Sequence, residues 1–548
     1  MKNRRFISNV VIVTIVAVIS FLAGEKLSSR ANSTKDIEEK DLYSIFEKYT
    51  GNKIGRFIDL IENEYVDDVL NDSVEDDIMK DVVSKLDPHS VYIPASDLED
   101  VNSEIEGRFS GIGVQFNIQK DTVMIVDVIN GGPSEKVGLL PGDRIIAVND
   151  TPFVGKNVVS NRKVMKKLRG AKNTKVKLGI KRLGTNEKLS YNITRGDIPI
   201  ESVTASYIIK PDIGFIGLNS NFGTHTYQEF ITAIAKLKNQ GAKKFIVDLR
   251  NNGGGLLNVA IKMINEFLPK GQLIVYAEGK AYPRSDAFSN GSGSCINNPI
   301  VVLIDEFSAS ASEIFAGAMQ DNDRGTIIGR RSFGKGLVQS QIPFDDGSAV
   351  RLTIARYFTP SGRSIQKPYK NGKGQEYEMD LIKRFEHGEF YSKDSIHIAD
   401  SLKFKTLKGR TVYGGGGIMP DIFVPRDTSE YSTYANKVIN HGYTFQYAFE
   451  YTDQHRKKLS KYKTWKEIDQ YIPNKVLLNG FVAFAKKKGV KPNYRDLRVS
   501  KKLLLRRIKG YIVRNMLPDN EYFQMINSND KVVLRAVEEL NKKSSNNF

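Results

Sequence analysis

"IVVLIDEFSASASEIFAGAMQ", residues 300–320, runs from a continuous apolar stretch through a cluster of serines into a helix-like series of Ala, Ile, Phe and Met. The first part reads as a buried strand and the last as a helix opening near Ser310. With "TIIGR" at 326–330 it makes a strand–helix–strand unit. The same alternation extends upstream. "IGFIGLNS" (213–220), "KFIVDLR" (244–250) and "LIVYAE" (273–278) read as strands, and "YQEFITAIAKLKNQ" (227–240) and "LLNVAIKMINEFL" (256–268) as helices. Such an order predicts an α/β layered domain with at least partly parallel strands.

Ser310 carries two readings. Ser310-x-x-Glu313 before an apolar run is a capping box. A serine at a helix mouth is also suited to act as a nucleophile, because the next N–H and the helix dipole favour an oxyanion there. A nucleophile needs a base. No GxSxG elbow surrounds Ser310 and no histidine lies nearby in sequence. "GRRSFGKGLVQ" (329–339) offers Lys335 between two glycines, with Phe333, Leu337 and Val338 around it. Lysine serves as a base only where burial depresses its pKa. Gln339 is suited to hydrogen-bond such an amine without charging it.

The glycines of "FIVDLRNNGGGLL" (245–257) form a tight turn, a phosphate loop or an oxyanion hole. Neither GxGxxG nor GxxxxGK[ST] is present, which disfavours phosphate. Bare glycine N–H groups can approach a developing negative charge closely.

Around this core, residues 36–100 have helical periodicity, and residues 101–196 alternate in short strands with Gly/Pro/Asn punctuation. The core itself spans 197–428, with an insertion at about 367–413, and a helical domain occupies 429–548. Residues 451–548 hold 23 Lys and Arg against 9 Asp and Glu, much of the chain's net +18. That surplus points to an anionic membrane surface or an acidic partner, and an exported protein seldom meets nucleic acid. Export is expected because "MKNRR" precedes an apolar run, so residues 1–24 read as a signal peptide or signal anchor. One cysteine and six scattered histidines give no disulfide framework and no metal-ligand spacing. No metal or other cofactor is expected.

"SASASEIFAGAMQD" (308–321), "GRRSFGKGLVQ", "LTIARYFTPSG" (352–362) and "GGGIMPDI" (415–422), in this order, resemble the C-terminal processing peptidases, or tail-specific proteases. "DLRNNGGGLL" (248–257) looks like their oxyanion motif, although Gly253 stands where the family usually has proline or serine. "YVDDVL" (65–70) and "LDPHSVYI" (86–93) match the N-terminal helical segment. "GRFSGIGVQF" (107–116) and "PSEKVGLLPGDRIIAVND" (133–150) match the PDZ domain.

The resemblance implies a crotonase/ClpP-like α/β peptidase core with an inserted PDZ domain, an N-terminal helical segment and a C-terminal helical domain. It also implies a serine endopeptidase of the bacterial cell envelope, anchored in the inner membrane or secreted to the periplasm. Carried over by residue, Ser310 is the nucleophile, Lys335 the base and Gln339 its orienting partner. Ala311 and Gly254 supply the oxyanion N–H groups. Ile112, Gly113 and Val114 would capture the terminal carboxylate of an unfolded or tagged substrate, with the PDZ domain gating the site. An adaptor or activating protein is a further expected partner. The alternative is a catalytically silent PDZ scaffold.

Overall fold

The computed structural model describes residues 53–67, 71–119, 121–129, 131–155, 160–182, 185, 187–397 and 399–545. They belong to two compact units, 1–79 and 80–548. In the first, the helix Lys53–Glu64 exposes Ile54, Phe57 and Leu60. The expected signal anchor at 1–24 lies outside the described residues, and no described helix is long and apolar enough to cross a membrane.

The second unit is built on a six-stranded sheet. Ala205–Lys210 and Ile213–Gly217 pair antiparallel, and Lys244–Asp248, Ile300–Ile304, Thr326–Gly329 and Ile422–Phe423 follow in parallel. Every residue of Lys244–Asp248 and Ile300–Ile304 is buried, as expected of parallel strands covered on both faces. Alternate residues serve opposite layers. Val302 and Ile304 pack with Phe230, Met263 and Phe315 from the helices Thr226–Asn239, Leu257–Asn265 and Ala311–Asp321. Val301 and Leu303 face the other way, onto Val533, Ala536 and Leu540 of the last helix, Lys531–Ser545.

"LIVYAE" does not join the parallel set. Leu273–Glu278 pairs antiparallel with Ala349–Phe358, in a second sheet that also holds Leu337–Pro343 and Val91–Ile93. This sheet carries Lys335 towards the helix that opens at Ser310, because Leu337–Pro343 begins two residues after it.

The β-rich module, with core residues Val123, Ile145 and Leu178, has Val114–Gln119 as an edge strand beside Thr122–Val128. Its helix, Asn161–Leu168, starts at Ser160, whose hydroxyl accepts the Lys163 N–H at 3.3 Å. In the C-terminal part, the helices Tyr443–Leu459, Asn474–Lys487 and Tyr494–Arg514 enclose Leu477, Phe481, Leu504 and Ile508.

Candidate active site

Ser310 sits where the strand Ile300–Ile304 turns into the helix Ala311–Asp321, with φ 54° and ψ −119°. A non-glycine residue there is strained, and such strain persists only where surrounding contacts enforce it. Glu313 is one enforcer. Fully buried, it accepts the Ser310 N–H at 2.9 Å, the Gly334 N–H at 2.8 Å, the Lys335 N–H at 2.8 Å and the Ser332 hydroxyl at 2.5 Å. Burial pushes its pKa up to about 7, and the four donors oppose the rise. Tyr357 ties the same two segments, its one hydroxyl hydrogen shared between the carbonyls of Ser310 and Lys335.

The glycine loop presses on the turn from the other side. A Cβ on Gly254 (φ 97°) would lie 2.6 Å from the Ala309 carbonyl oxygen and 2.7 Å from the Ala311 nitrogen. Asn252, wholly buried, donates to the carbonyls of Leu218 and Ser220, both at 2.7 Å, and its own carbonyl accepts the Ala309 N–H at 3.0 Å. Asn252 Oδ1 accepts the Ser312 hydroxyl and the Gly254 N–H, each at 2.8 Å. Of the two expected oxyanion donors, the Gly254 N–H is therefore engaged within its own loop. Its backbone is held at Ser310, but its hydrogen is turned to Asn252. Ala311 lines the cleft together with Gly253 and Gly255.

That cleft, about 370 Å³, brings Ser310, Lys335 and Gln339 together with Leu256, Ile314 and Arg351. Lys335 Nζ donates to Gln339 Oε1 at 3.1 Å, and Gln339 Nε2 donates to the His89 carbonyl. Burial, with the Arg351 charge adding to it, lowers the Lys335 pKa below lysine's ordinary 10.5. In the sequence His89 stands within the motif LDPHSVYI with no role of its own. Its ring meets the Tyr377 hydroxyl at 2.9 Å, and burial and then the Lys335 charge hold its pKa down at about 4. Tyr377 belongs to the segment expected as an insertion, and it braces the chain before the strand Val91–Ile93, whose His89 carbonyl receives Gln339.

Ile112, Gly113 and Val114 lie elsewhere, along a separate cleft of about 270 Å³ between the edge strand Val114–Gln119 and the helix Asn161–Leu168. Phe109, Phe116, Met165 and Leu168 make it apolar, with Arg169 at its lining. The carbonyls of Ile112 and Gly113 accept the N–H groups of Ser134 and Ile129 at 3.0 and 3.1 Å. Among the described residues no group of His, Cys, Asp and Glu has the arrangement of a metal site.

Comparison with known proteins agrees with this architecture. Residues 212–372 match peptidase family S41, residues 110–193 match the PDZ domain, and residues 434–518 match a family of unknown function (DUF8443). The carboxy-terminal-processing protease of Bartonella bacilliformis is 32% identical over 423 residues, 75% of this chain and 93% of that one. CtpB of Bacillus subtilis is 34% identical over 354 residues, 64% of this chain and 71% of that one. Among solved structures, the photosystem II D1 C-terminal processing protease is 23% identical, with a TM-score of 0.36 over 69% of this chain and 88% of that one. The PDZ domain of a Vibrio cholerae carboxy-terminal protease, solved with a peptide, is 30% identical, with a TM-score of 0.15 over 17% of this chain and 97% of that one. The chain belongs to the carboxy-terminal processing proteases of peptidase family S41, serine-type peptidases, and carries a PDZ domain.

Proposed function

We propose that this protein captures the C-termini of unfolded or tagged proteins in its PDZ cleft and cleaves them by acyl transfer from a Ser310–Lys335 dyad. The observation that carries the reading is the convergence of the Ser310 turn and a half-buried Lys335 of lowered pKa in one cleft. Neutral Lys335 Nζ takes the Ser310 hydroxyl proton as Oγ bonds to the scissile carbonyl carbon. The resulting oxyanion accepts the Ala311 N–H and an N–H of the glycine loop. When the C–N bond breaks, protonated Lys335 gives its proton to the leaving amine, and water then cleaves the acyl-enzyme with Lys335 as base. Gln339 Oε1 fixes the amine without adding charge. Gly254 donates only if its N–H leaves Asn252, a shift within one loop.

In the PDZ cleft the peptide adds as a strand on the open edge of Val114–Gln119, and the N–H groups of Ile112, Gly113 and Val114 receive its carboxylate. The apolar run at 1–24 supports a place in the bacterial cell envelope. The basic C-terminal domain supports contact with an anionic membrane surface, since Arg495, Arg498, Lys501 and Lys502 are exposed on one helix. The test is cleavage of an unfolded protein ending in a free carboxylate, with Ser310→Ala and Lys335→Ala as controls. Loss of cleavage in both, with retained binding, is expected. Equal cleavage by either variant contradicts the dyad, and a wild type that binds without cleaving is the silent scaffold.

A further inference from the structure

Arg250 stands at the entrance of the glycine loop, two residues past the strand Lys244–Asp248. Its Nε reaches both carboxylate oxygens of Asp248 at 2.9 and 3.1 Å, and its Nη2 reaches Oδ2 at 2.7 Å. The remaining arm, Nη1, donates to Asp530 Oδ2 at 2.8 Å. Asp530 comes from the far end of the chain, just before the helix Lys531–Ser545. Its other oxygen accepts the N–H groups of Val532 and Val533 at 2.8 and 3.0 Å, so one carboxylate caps the helix and grips Arg250 together.

The attachment is rigid at both ends. Val533, Ala536 and Leu540 are fully buried on the sheet, so the helix is held there by apolar packing. Nearby, Asn527 donates to the Tyr207 hydroxyl at 2.8 Å, and Asn520 accepts the Ser206 N–H at 2.7 Å. On the other side, Arg250 is followed directly by Asn251, held at φ 59° with its N–H on Asp305, and by Asn252, which ties the loop to Ala309 and Ser312.

We infer that Asp530 is a positioning residue for the reaction: through Arg250, the C-terminal helix holds Asn251–Gly255 against the Ser310 turn. The inference rests on the proposed role of that turn. A simple helix cap would need neither the guanidinium nor its partner at the loop, and without Asp530 the Nη1 arm of a buried arginine loses its carboxylate, leaving Asp248 as its one anchor. Displacement of a catalytic group by about 1 Å can cost on the order of a hundredfold in rate.

Asp530→Ser in the full chain separates the two roles, because serine still caps a helix but is too short to reach Arg250. Three quantities decide the matter: kcat and KM for a C-terminal tailed substrate, amide hydrogen exchange of residues 245–257 against residues 311–321, and affinity of a free C-terminal peptide. We expect kcat to fall about tenfold or more with KM and peptide affinity unchanged, and the 245–257 segment alone to exchange faster. Asp530→Glu, which keeps the charge, should recover most of the rate. Unchanged kcat and unchanged exchange overturn the inference. If Asp530→Ser loosens both segments alike, Asp530→Asn, closer in size and still a cap, is judged by the same readouts, and uniform loosening in it also overturns the inference. Failure of the dyad itself would show separately, as cleavage by Ser310→Ala, whereas the exchange result is independent of it.

Discussion

Ser310 and Lys335, 25 positions apart in the chain, donate their backbone N–H groups to the same oxygen of Glu313, at 2.9 and 2.8 Å. The spacing of the two side chains is thereby set by one buried carboxyl group. Glu313→Ala leaves several buried donors unpaired, each costing roughly 1–3 kcal/mol. The expected result is a clearly lowered melting temperature together with loss of cleavage. Glu313→Gln, which keeps the volume and one acceptor, should fold better while remaining impaired. Calorimetry beside peptidase assays would check both.

Gly254 should tolerate no side chain. At φ 97° its Cβ would meet backbone atoms at 2.6–2.7 Å, which cannot swing aside. Gly254→Ala is expected to reduce kcat by roughly a hundredfold or more, the scale of losing an oxyanion donor. Binding of a C-terminal peptide should be unchanged, as fluorescence polarisation would report.

Arg351 supplies positive charge beside Lys335 and thereby disfavours the ammonium form. Removing that charge in Arg351→Gln raises the Lys335 pKa. The base is active when deprotonated, so the rising limb of kcat/KM against pH should move to higher pH. Activity below that limb should fall, with the plateau at high pH less affected. An unmoved or acid-shifted limb would contradict this.

Gly113 (φ 76°) belongs to the loop proposed to receive the substrate carboxylate, and a Cβ there would come within 2.9 Å of the Ile198 side chain. Gly113→Val should weaken peptide binding about tenfold or more, about 1.4 kcal/mol. Labelling of Ser310 by a small fluorophosphonate should persist, because the two clefts have different walls.

Much of the core was legible because a parallel strand covered on both faces must be apolar throughout, as Ile300–Ile304 is. Ser310, Lys335 and the glycines stood out as candidates by residue type and surroundings, and their roles came from the resemblance. What they rest on did not. Glu313 read as a helix cap, and nothing in its neighbourhood marks it as the acceptor for a segment more than twenty residues away. His89 and Tyr377 meet across the chain, and Asp530 meets Arg250 from still further, since only the folded sheet brings such groups together. The hydrogen bond from Gly254 to Asn252 was hidden for a similar reason: Asn252 is close in sequence, but its orientation is set by Leu218 and Ser220.

The most direct test of the central claim is a titration of Lys335 in the folded protein, by NMR of lysine labelled at the ε-carbon and assigned by Lys335→Arg. It should be paired with the pH dependence of Ser310 acylation. Lys335 should lose its proton below the 10.5 of an ordinary lysine, with acylation rising over the same interval and disappearing in Lys335→Ala. An ordinary lysine titration, or acylation that rises independently of it, would rule out Lys335 as the base for Ser310.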